Sequence, residues 1–474
     1  MVNNSNQEFL KILRTRDVIM LAFGAMIGWG WVVSSGQWIQ AGGVFGTVVG
    51  FLIGGLMIYL VGLTYAELTP AMPKSGGAMN FSYAAFGPAG SYITIWALAL
   101  SYIGVVCFEA CSFATIMQYV VPDFLQGYLY TVAGYDVYLS WVLVAIIASA
   151  LILYINYIGT KSAAKFQNIL TCIIAGVGLI LVVGSAVNGN AENLACQSFV
   201  GENTGSVIGN IFKVAIMTPF FLFGFDIIPQ AAEEINVPLK RLGRLMILSI
   251  ALAVIFYAMV VVAIGLVMSP AQIQESMAST GMVTADAIAA AFSNQAMTKV
   301  LIIGGLCGIV TTWNSFLIGG SRVLFSMSKA RMLPSIFSRL HSKYNTPYIA
   351  ILFLGIISMF APFFGRVMLV WIVDAANFAC CLAYCHVALS FIVLRKKKPN
   401  LARPFRVNNG ILIGVLATIM AGFMAIMYII PGTNCSLIWQ EWAIVGGWSF
   451  IGLFLALRAK RLYKSSFCSG MDID

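Results

Sequence analysis

The stretch Leu21-Ala-Phe-Gly-Ala-Met-Ile-Gly-Trp-Gly30 decides how this chain is read. It lies inside an apolar run from about Val18 to Val49, and Gly24, Gly28 and Gly30 interrupt it. A second apolar run, from about Val207 to Ala232, carries a matching interruption, Phe220-Phe-Leu-Phe-Gly-Phe-Asp-Ile-Ile-Pro229. A helix broken inside a bilayer is tolerated only where the freed backbone groups meet protein partners or line a wet cavity. Two breaks in corresponding positions of two halves point to the central site of a secondary transporter.

The composition agrees with a bilayer setting. Hydrophobic residues make up 60% of the 474-residue chain and charged residues 9%, against roughly 25% charged in soluble domains. The apolar runs are continuous and near the helical spanning length of about 20 residues. Barrel strands are about ten residues long and alternate in polarity. The reading is therefore an all-α membrane protein of twelve spans. Their approximate limits are 18–42, 44–68, 91–121, 138–158, 165–187, 207–232, 243–268, 298–327, 347–363, 367–394, 411–430 and 440–458. The amphipathic stretch Ala271–Ala296 is expected to form short extracellular helices.

Basic residues fix the expected orientation. With both termini inside, all of the 27 Lys and Arg residues except Lys213, Lys299 and Arg366 fall on the cytoplasmic side, as the positive-inside rule requires. The net charge of +10 follows from this topology. Because the basic residues are spread over separate inner segments, nucleic acid is excluded as a partner. Residues 1–17 form a polar cytoplasmic segment without the apolar core of a signal peptide, so the first span acts as an uncleaved anchor. The expected location is the cell membrane, with the lipid bilayer as surroundings. No residue pattern speaks to oligomeric state.

Five spans separate the two interruptions. An odd number turns the second copy upside down relative to the first, the logic of an inverted repeat. The expected organisation is a first repeat over 18–187, a second over 207–394, two additional spans over 411–458, and a cytoplasmic tail over 459–474.

The ten cysteines are scattered, mostly within spans. Cys107/Cys111 and Cys381/Cys385 have i, i+4 spacing, but no His or carboxylate cluster completes a metal site. Buried thiols without metal or cofactor are the reading. Cys196 and Cys435 both fall in expected outer loops, which leaves a disulfide between them open. Only His341 and His386 are present and no nucleophile–base motif accompanies them, so an enzyme is set aside. A channel is set aside too, since no filter segment repeats.

Several motifs, in order, resemble the amino acid–polyamine–organocation permeases over nearly the whole length. Gly24-Ala-Met-Ile-Gly-Trp-Gly30 is similar to that family's glycine-rich span 1 signature. Pro73-Lys-Ser-Gly-Gly-Ala-Met-Asn-Phe-Ser-Tyr83 with Ala85-Phe-Gly87 resembles its span 2–3 loop, and Asn156-Tyr-Ile-Gly-Thr-Lys161 its span 4–5 loop. Phe223-Gly-Phe-Asp226 with Glu233-Glu-Ile-Asn-Val-Pro238 resembles the end of span 6. Arg322 to Pro334 with Thr346-Pro347 resembles the span 8–9 region, and Leu394 to Pro399 with Arg403-Pro-Phe405 the segment after span 10. The resemblance implies a five-plus-five, LeuT-like inverted-repeat core with spans 1 and 6 unwound at mid-membrane. It also implies amino acids or close derivatives as substrates.

An α-amino acid carries a carboxylate and an ammonium, and an unwound helix offers complements to both. Free amides at a half-helix start attract the carboxylate, and glycine lets it approach bare backbone. The amides of Gly28, Trp29 and Gly30 are the candidates for the carboxylate, in the stretch that includes Ile27. The carbonyls near Phe23, Ala25 and Met26, with those near Phe220, Phe223 and Gly224, are the candidates for the ammonium. Gly24 and Gly28 also fit a small-xxx-small packing seam. By resemblance, Phe220 occupies the place of a gating aromatic.

Glu109, Asp226 and Asp374 lie inside spans, where each charge needs a partner, water or a proton. Asp226 follows the second break and is the first candidate for proton coupling or conformational control. Glu109, by resemblance one turn beyond the substrate-bordering stretch of span 3, is a candidate for substrate recognition or titration. Asp374 reads as a structural hydrogen-bond partner. Glu67, Glu233 and Glu234, at inner helix ends, read as inner-gate ion pairs or solvated charges. Some proton-coupled relatives carry a lysine within span 5; here Lys165 lies at its inner start, too early. Thr311 and Thr312 could place hydroxyls near the sodium position of fold relatives, or bond their own backbone.

The expected function is secondary amino acid transport, with proton symport or exchange ranked ahead of sodium symport. A polyamine or organic amine carrier and a non-transporting sensor are the alternatives. Met26, Trp29, Phe220, Phe223 and Phe225 lean towards a neutral or apolar substrate side chain, Glu109 towards a polar or cationic one.

Overall fold

A computed structural model describes residues 9–433 and 435–463. Residues 1–8 and 464–474, including Lys464 of the expected inner tail, lie outside the described residues.

The first apolar run is not one helix. It holds α1 (Thr15–Met26), α2 (Gly30–Val33) and α3 (Ser35–Gly42). α4 (Val44–Ala71) and α5 (Gly77–Val120) follow, then a hairpin of β1 (Tyr128–Val132) and β2 (Tyr135–Tyr138). α6 (Leu139–Tyr157), α7 (Thr160–Asn188) and the short α8 (Ala191–Cys196) lead to the second interruption, between α9 (Thr204–Phe221) and α10 (Ile227–Gln230). Beyond it run α11 (Leu239–Val267), α12 (Pro270–Ser279), α13 (Val283–Phe292) and α14 (Ala296–Lys329). The chain closes with α15 (Tyr348–Phe360), α16 (Gly365–Lys397), α17 (Gly410–Ile429) and α18 (Trp439–Tyr463).

Among the described residues, eleven helical stretches are long and apolar enough to cross a membrane. The expected span at 18–42 is not one of them, because α1, α2 and α3 have only 12, 4 and 8 residues. The amphipathic stretch after α11 does form two short helices, α12 and α13.

α5 begins earlier than the hydropathy suggests. Residues 77–86 are already helical, and the break falls at Gly87, whose φ of 74° is open to glycine and strained for other residues. The β1–β2 hairpin had no counterpart in the sequence reading. Its two-residue turn, Ala133-Gly134, has φ of 50° and 77°. Positive φ at both turn positions matches the twist of a tight antiparallel pair. The hairpin is pinned to the start of α16 by the Tyr130 hydroxyl, which donates to Phe363 O at 2.7 Å.

The core is a bundle in which α5 packs along α16, α4 between α9 and α11, and α14 against α5, α7 and α1. Large apolar side chains such as Leu52, Ile147, Leu151 and Phe450 point outward instead, which suits a protein solvated by lipid. α18 is held to α5 by a clasp of two tryptophans. The Trp96 and Trp448 rings stack at 4.3 Å, and each indole N–H donates to the other's carbonyl, at 2.9 and 3.0 Å.

Cys196 and Cys435 are both free thiols, so the disulfide left open above is absent. Cys196 caps its own turn by donating to Asn193 O. Cys107, Cys111 and Cys381 are buried, as expected of apolar thiols; Cys385 is half-buried.

Candidate functional site

α1 ends because Ile27 leaves the helical region at ψ 77° while its amide still donates to Phe23 O at 3.1 Å. Gly28 and Trp29 are non-helical, and among the described residues their amides meet no acceptor. Gly30 opens α2, so its amide has no carbonyl one turn back within that helix. Three consecutive donors are thus presented at one place, as the glycine pattern implies.

The carbonyls on the other side of this break are already engaged. Thr312 Oγ1 lies 3.4 and 3.3 Å from Gly24 O and Ala25 O. The Tyr257 hydroxyl donates to Met26 O at 2.9 Å, and Ser315 to Leu21 O at 3.1 Å. From α7, Gln167 and Thr171 both reach Met20 O at 3.3 Å. These bonds hold α1 open at its end without leaving its carbonyls orphaned.

The second interruption runs over residues 222–226. Gly224 there has φ of 125°. A Cβ on Gly224 would lie 2.7 Å from Ala25 Cβ, so the two interruptions touch and only glycine fits the contact.

Between them opens a cavity of about 230 Å³. The first interruption and the helix ends beside it contribute Ala25, Met26, Gly28, Trp29 and Gly30, and the second, with the end of α9, Phe220, Phe221 and Phe223. α14 adds Thr312 and Phe316; α16 adds Leu369, Val373 and Asn377, with Arg366 also lining the cavity. Its walls are mostly apolar. Glu109 of α5 is the one acidic side chain in the lining. It is 6% exposed, its Oε1 lies 3.8 Å from where a Gly28 Cβ would stand, and its Oε2 has no hydrogen-bond partner.

Of the residues singled out for substrate or coupling, six do not line the cavity, among them Phe225, which packs against Tyr65 and Tyr384. Phe23 packs edge-on against Phe256 at 5.9 Å, and Ile27 is fully buried. Gly224 faces Ala25. Thr311 donates to Gly308 O of its own helix at 2.9 Å, the local bond common for mid-helix threonine. Asp226 sits at the start of α10 with both oxygens taken. Tyr384 donates to Oδ1 at 2.8 Å and Tyr102 to Oδ2 at 2.9 Å. The carboxylate thus ties α5 and α16 to the second interruption from outside the cavity. No motif marked these tyrosines, which are two of 18 in the chain.

A buried ion pair lies beneath the N-terminal segment. Arg322 Nε donates to Glu234 Oε1 at 2.6 Å and Nη2 to Glu234 Oε2 at 3.1 Å, with side chains 1% and 2% exposed. Thr160 Oγ1, Ser321 Oγ and Ile318 O take the remaining guanidinium donors. The N-terminal segment lies across this pair. The Ile12 and Leu13 amides donate to Glu234 O at 2.9 Å, and Asn236 N returns to Leu13 O at 2.8 Å. Phe9 stacks edge-on with Phe325 at 4.8 Å. Glu233 instead accepts from Ser75 N at 3.1 Å.

Glu67 is fully buried and pairs with Arg395 and, at 3.0 Å, with Arg403. Removal from water draws the Arg403 guanidinium below its usual range, opposed by Glu67 and reinforced by Arg395 and Arg406. Asp374 faces Glu441 of α18. Among the described residues no group of three or more His, Cys, Asp or Glu side chains is placed to hold a metal.

Comparison with known proteins accounts for this arrangement. A family model described as amino acid permease matches residues 13–454. The chain is 28% identical over 417 residues to the branched-chain amino acid permease BcaP of Bacillus subtilis, covering 86% of each chain. It is 26% identical to the methylthioribose transporter of the same organism, over 94% of this chain and 93% of the relative. It is 23% identical to that organism's aspartate-proton symporter, over 88% and 79%. With a family model spanning nearly its whole length, the chain belongs to the amino acid permeases of the amino acid–polyamine–organocation superfamily, which are transporters and not enzymes.

Proposed function

We propose that the protein is a secondary active transporter that carries amino acids across the cell membrane by alternating access, with both termini inside. The observation that carries this reading is the set of unpaired amides at Gly28–Gly30, residues that line a mostly apolar cavity. Such a nest at a half-helix start complements a carboxylate. The apolar wall of Phe223, Phe316, Leu369 and Val373 suits a neutral side chain. A branched-chain permease among the relatives points the same way.

In this reading α1–α7 and α9–α16 are the two inverted repeats, broken at 27–29 and 222–226, and α17 and α18 are additions outside them. The three short helices α1–α3 together make the first of twelve crossings. The Arg322–Glu234 pair and the segment over it form the inner gate, closed here, and Phe220 closes over the substrate from the outer side. Proton symport or exchange is favoured over sodium symport, because Thr311 is committed to its own helix and Thr312 to α1 carbonyls.

Uptake of radiolabelled L-leucine and other amino acids into proteoliposomes tests this reading, with an imposed inward proton gradient and with empty or preloaded vesicles. Uptake into empty vesicles that a protonophore abolishes means symport. Uptake that needs internal amino acid means exchange. No amino acid flux under either condition refutes the proposal.

A further inference from the structure

We infer that Glu109 is the site at which the transported proton is held, and that it is neutral whenever a substrate carboxylate occupies the Gly28–Gly30 amides. The inference rests on the transport reading above and assigns the coupling residue within that site.

The argument is one of charge and space. Glu109 Oε1 stands 3.8 Å from the position of a Gly28 Cβ, so the carboxyl group borders the amides that would receive the substrate carboxylate. Two ionised carboxylates this close in a mostly apolar cavity repel each other, and one of them takes a proton. The substrate carboxylate has three amide donors to keep it ionised. Glu109 Oε2 has no donor at all.

No described cation stands within ion-pair distance of Glu109. Among the described residues Glu109 makes no ion pair, and Arg366 of α16, lining the same cavity, makes none either. The titratable groups near Glu109 are Tyr257 of α11, committed to Met26 O, and the thiols Cys107 and Cys111 on its own helix. α1, α9 and α14 present no charged group to the cavity. Asp226, the other buried carboxylate on this side, is enclosed by Tyr102 and Tyr384 and does not reach the cavity. Protonated Glu109 gains an O–H that can donate to the arriving carboxylate, so proton and substrate stabilise each other's binding. Release of the substrate to the inside then leaves an ionised Glu109 without that partner once its proton also departs.

The test is L-leucine exchange and gradient-driven accumulation in proteoliposomes, measured from acid to mildly alkaline pH for wild type, Glu109→Gln and Glu109→Asp. In the wild type, apparent affinity should fall about tenfold per pH unit once Glu109 ionises, since only the neutral fraction binds. Glu109→Gln should show exchange with a flat pH profile and no accumulation driven by a proton gradient. Glu109→Asp should keep the slope with a displaced midpoint. Gradient-driven accumulation surviving in Glu109→Gln overturns the inference, with transport itself intact. Loss of leucine binding at every pH in Glu109→Gln also overturns it, and makes Glu109 the ammonium partner instead. Absence of any exchange in the wild type refutes the transport reading beneath it.

Discussion

Replacing Glu234 with Gln is the sharpest probe of the proposed inner gate. The substitution keeps the shape of the side chain but removes the counter-charge of Arg322, which is 1% exposed and has no other acid at ion-pair distance among the described residues. Thr160, Ser321 and Ile318 O would still accept from the guanidinium, but none carries charge. Breaking a buried pair on one side destabilises by about 3–5 kcal/mol. At about 1.4 kcal/mol per decade, that is a factor between about 10² and a few times 10³ in an equilibrium constant. If the seal exists only in the inward-closed state, the whole effect falls on that state. The assay is amide hydrogen exchange in lipid nanodiscs, read at Ile12, Leu13 and Asn236, whose amides complete the seal. Exchange there should accelerate by about that factor, while the melting temperature changes little because the protein opens rather than unfolds. The double variant Glu234→Leu with Arg322→Met should recover much of the protection, since an apolar pair of similar volume replaces a buried ion pair without loss in favourable cases. Unchanged protection at these three amides in Glu234→Gln would refute the reasoning. So would a double variant no better protected than the single.

Asp226→Asn should leave substrate affinity within about threefold of wild type but slow transport, because the side chain ties Tyr102 and Tyr384 together outside the cavity; equilibrium binding and flux measured on one preparation check this. Gly28→Ala places a methyl 3.3 Å from Thr312 Oγ1, directly in the cavity, and should raise KM for uptake about tenfold or more without loss of folded yield. Gly24→Ala instead puts its methyl 2.5 Å from Gln167 Nε2 and 2.6 Å from Thr171 Oγ1. Overpacking of this kind is expected to destabilise by about 1–3 kcal/mol, seen as a lower melting temperature. Exposed Cys196 should react with an impermeant maleimide added outside intact cells, and labelling only after permeabilisation would reverse the proposed orientation.

Much of this architecture was legible in the letters because bilayer physics writes strong signals. Long apolar runs and the glycines of 24–30 each follow from a constraint with few solutions. The site was only partly legible, for a physical reason. A residue's place in a cavity depends on which face of a helix turns inward, and hydropathy is uniform around a buried helix. Gly28 and Gly30 reveal themselves because bare backbone demands glycine. Asp226 and Glu109 look alike in sequence, as single acids in apolar runs. Only the two tyrosine hydroxyls on one, and the unpartnered oxygen of the other, separate them. The hairpin at 128–138 escaped because its strands are only five and four residues long and just one of their residues is buried. The stop after Met26 announces itself through its glycines, whereas the stop at Ser34, between α2 and α3, was not read.

The bonds from Leu13 to Glu234 and Asn236 join positions about 220 residues apart. At about 5–20 residues per second of synthesis, the first broken helix leaves the ribosome on the order of ten to forty seconds before those partners exist. During that interval the last carbonyls of α1, at Gly24, Ala25 and Met26, lack the Thr312 and Tyr257 hydroxyls that reach them in the finished fold. The insertion machinery, or water within it, must therefore shelter this segment until half the protein has been made. Assembly of the carrier is thereby timed by its slowest pairing, and a chain truncated before residue 234 should be a substrate for membrane quality control.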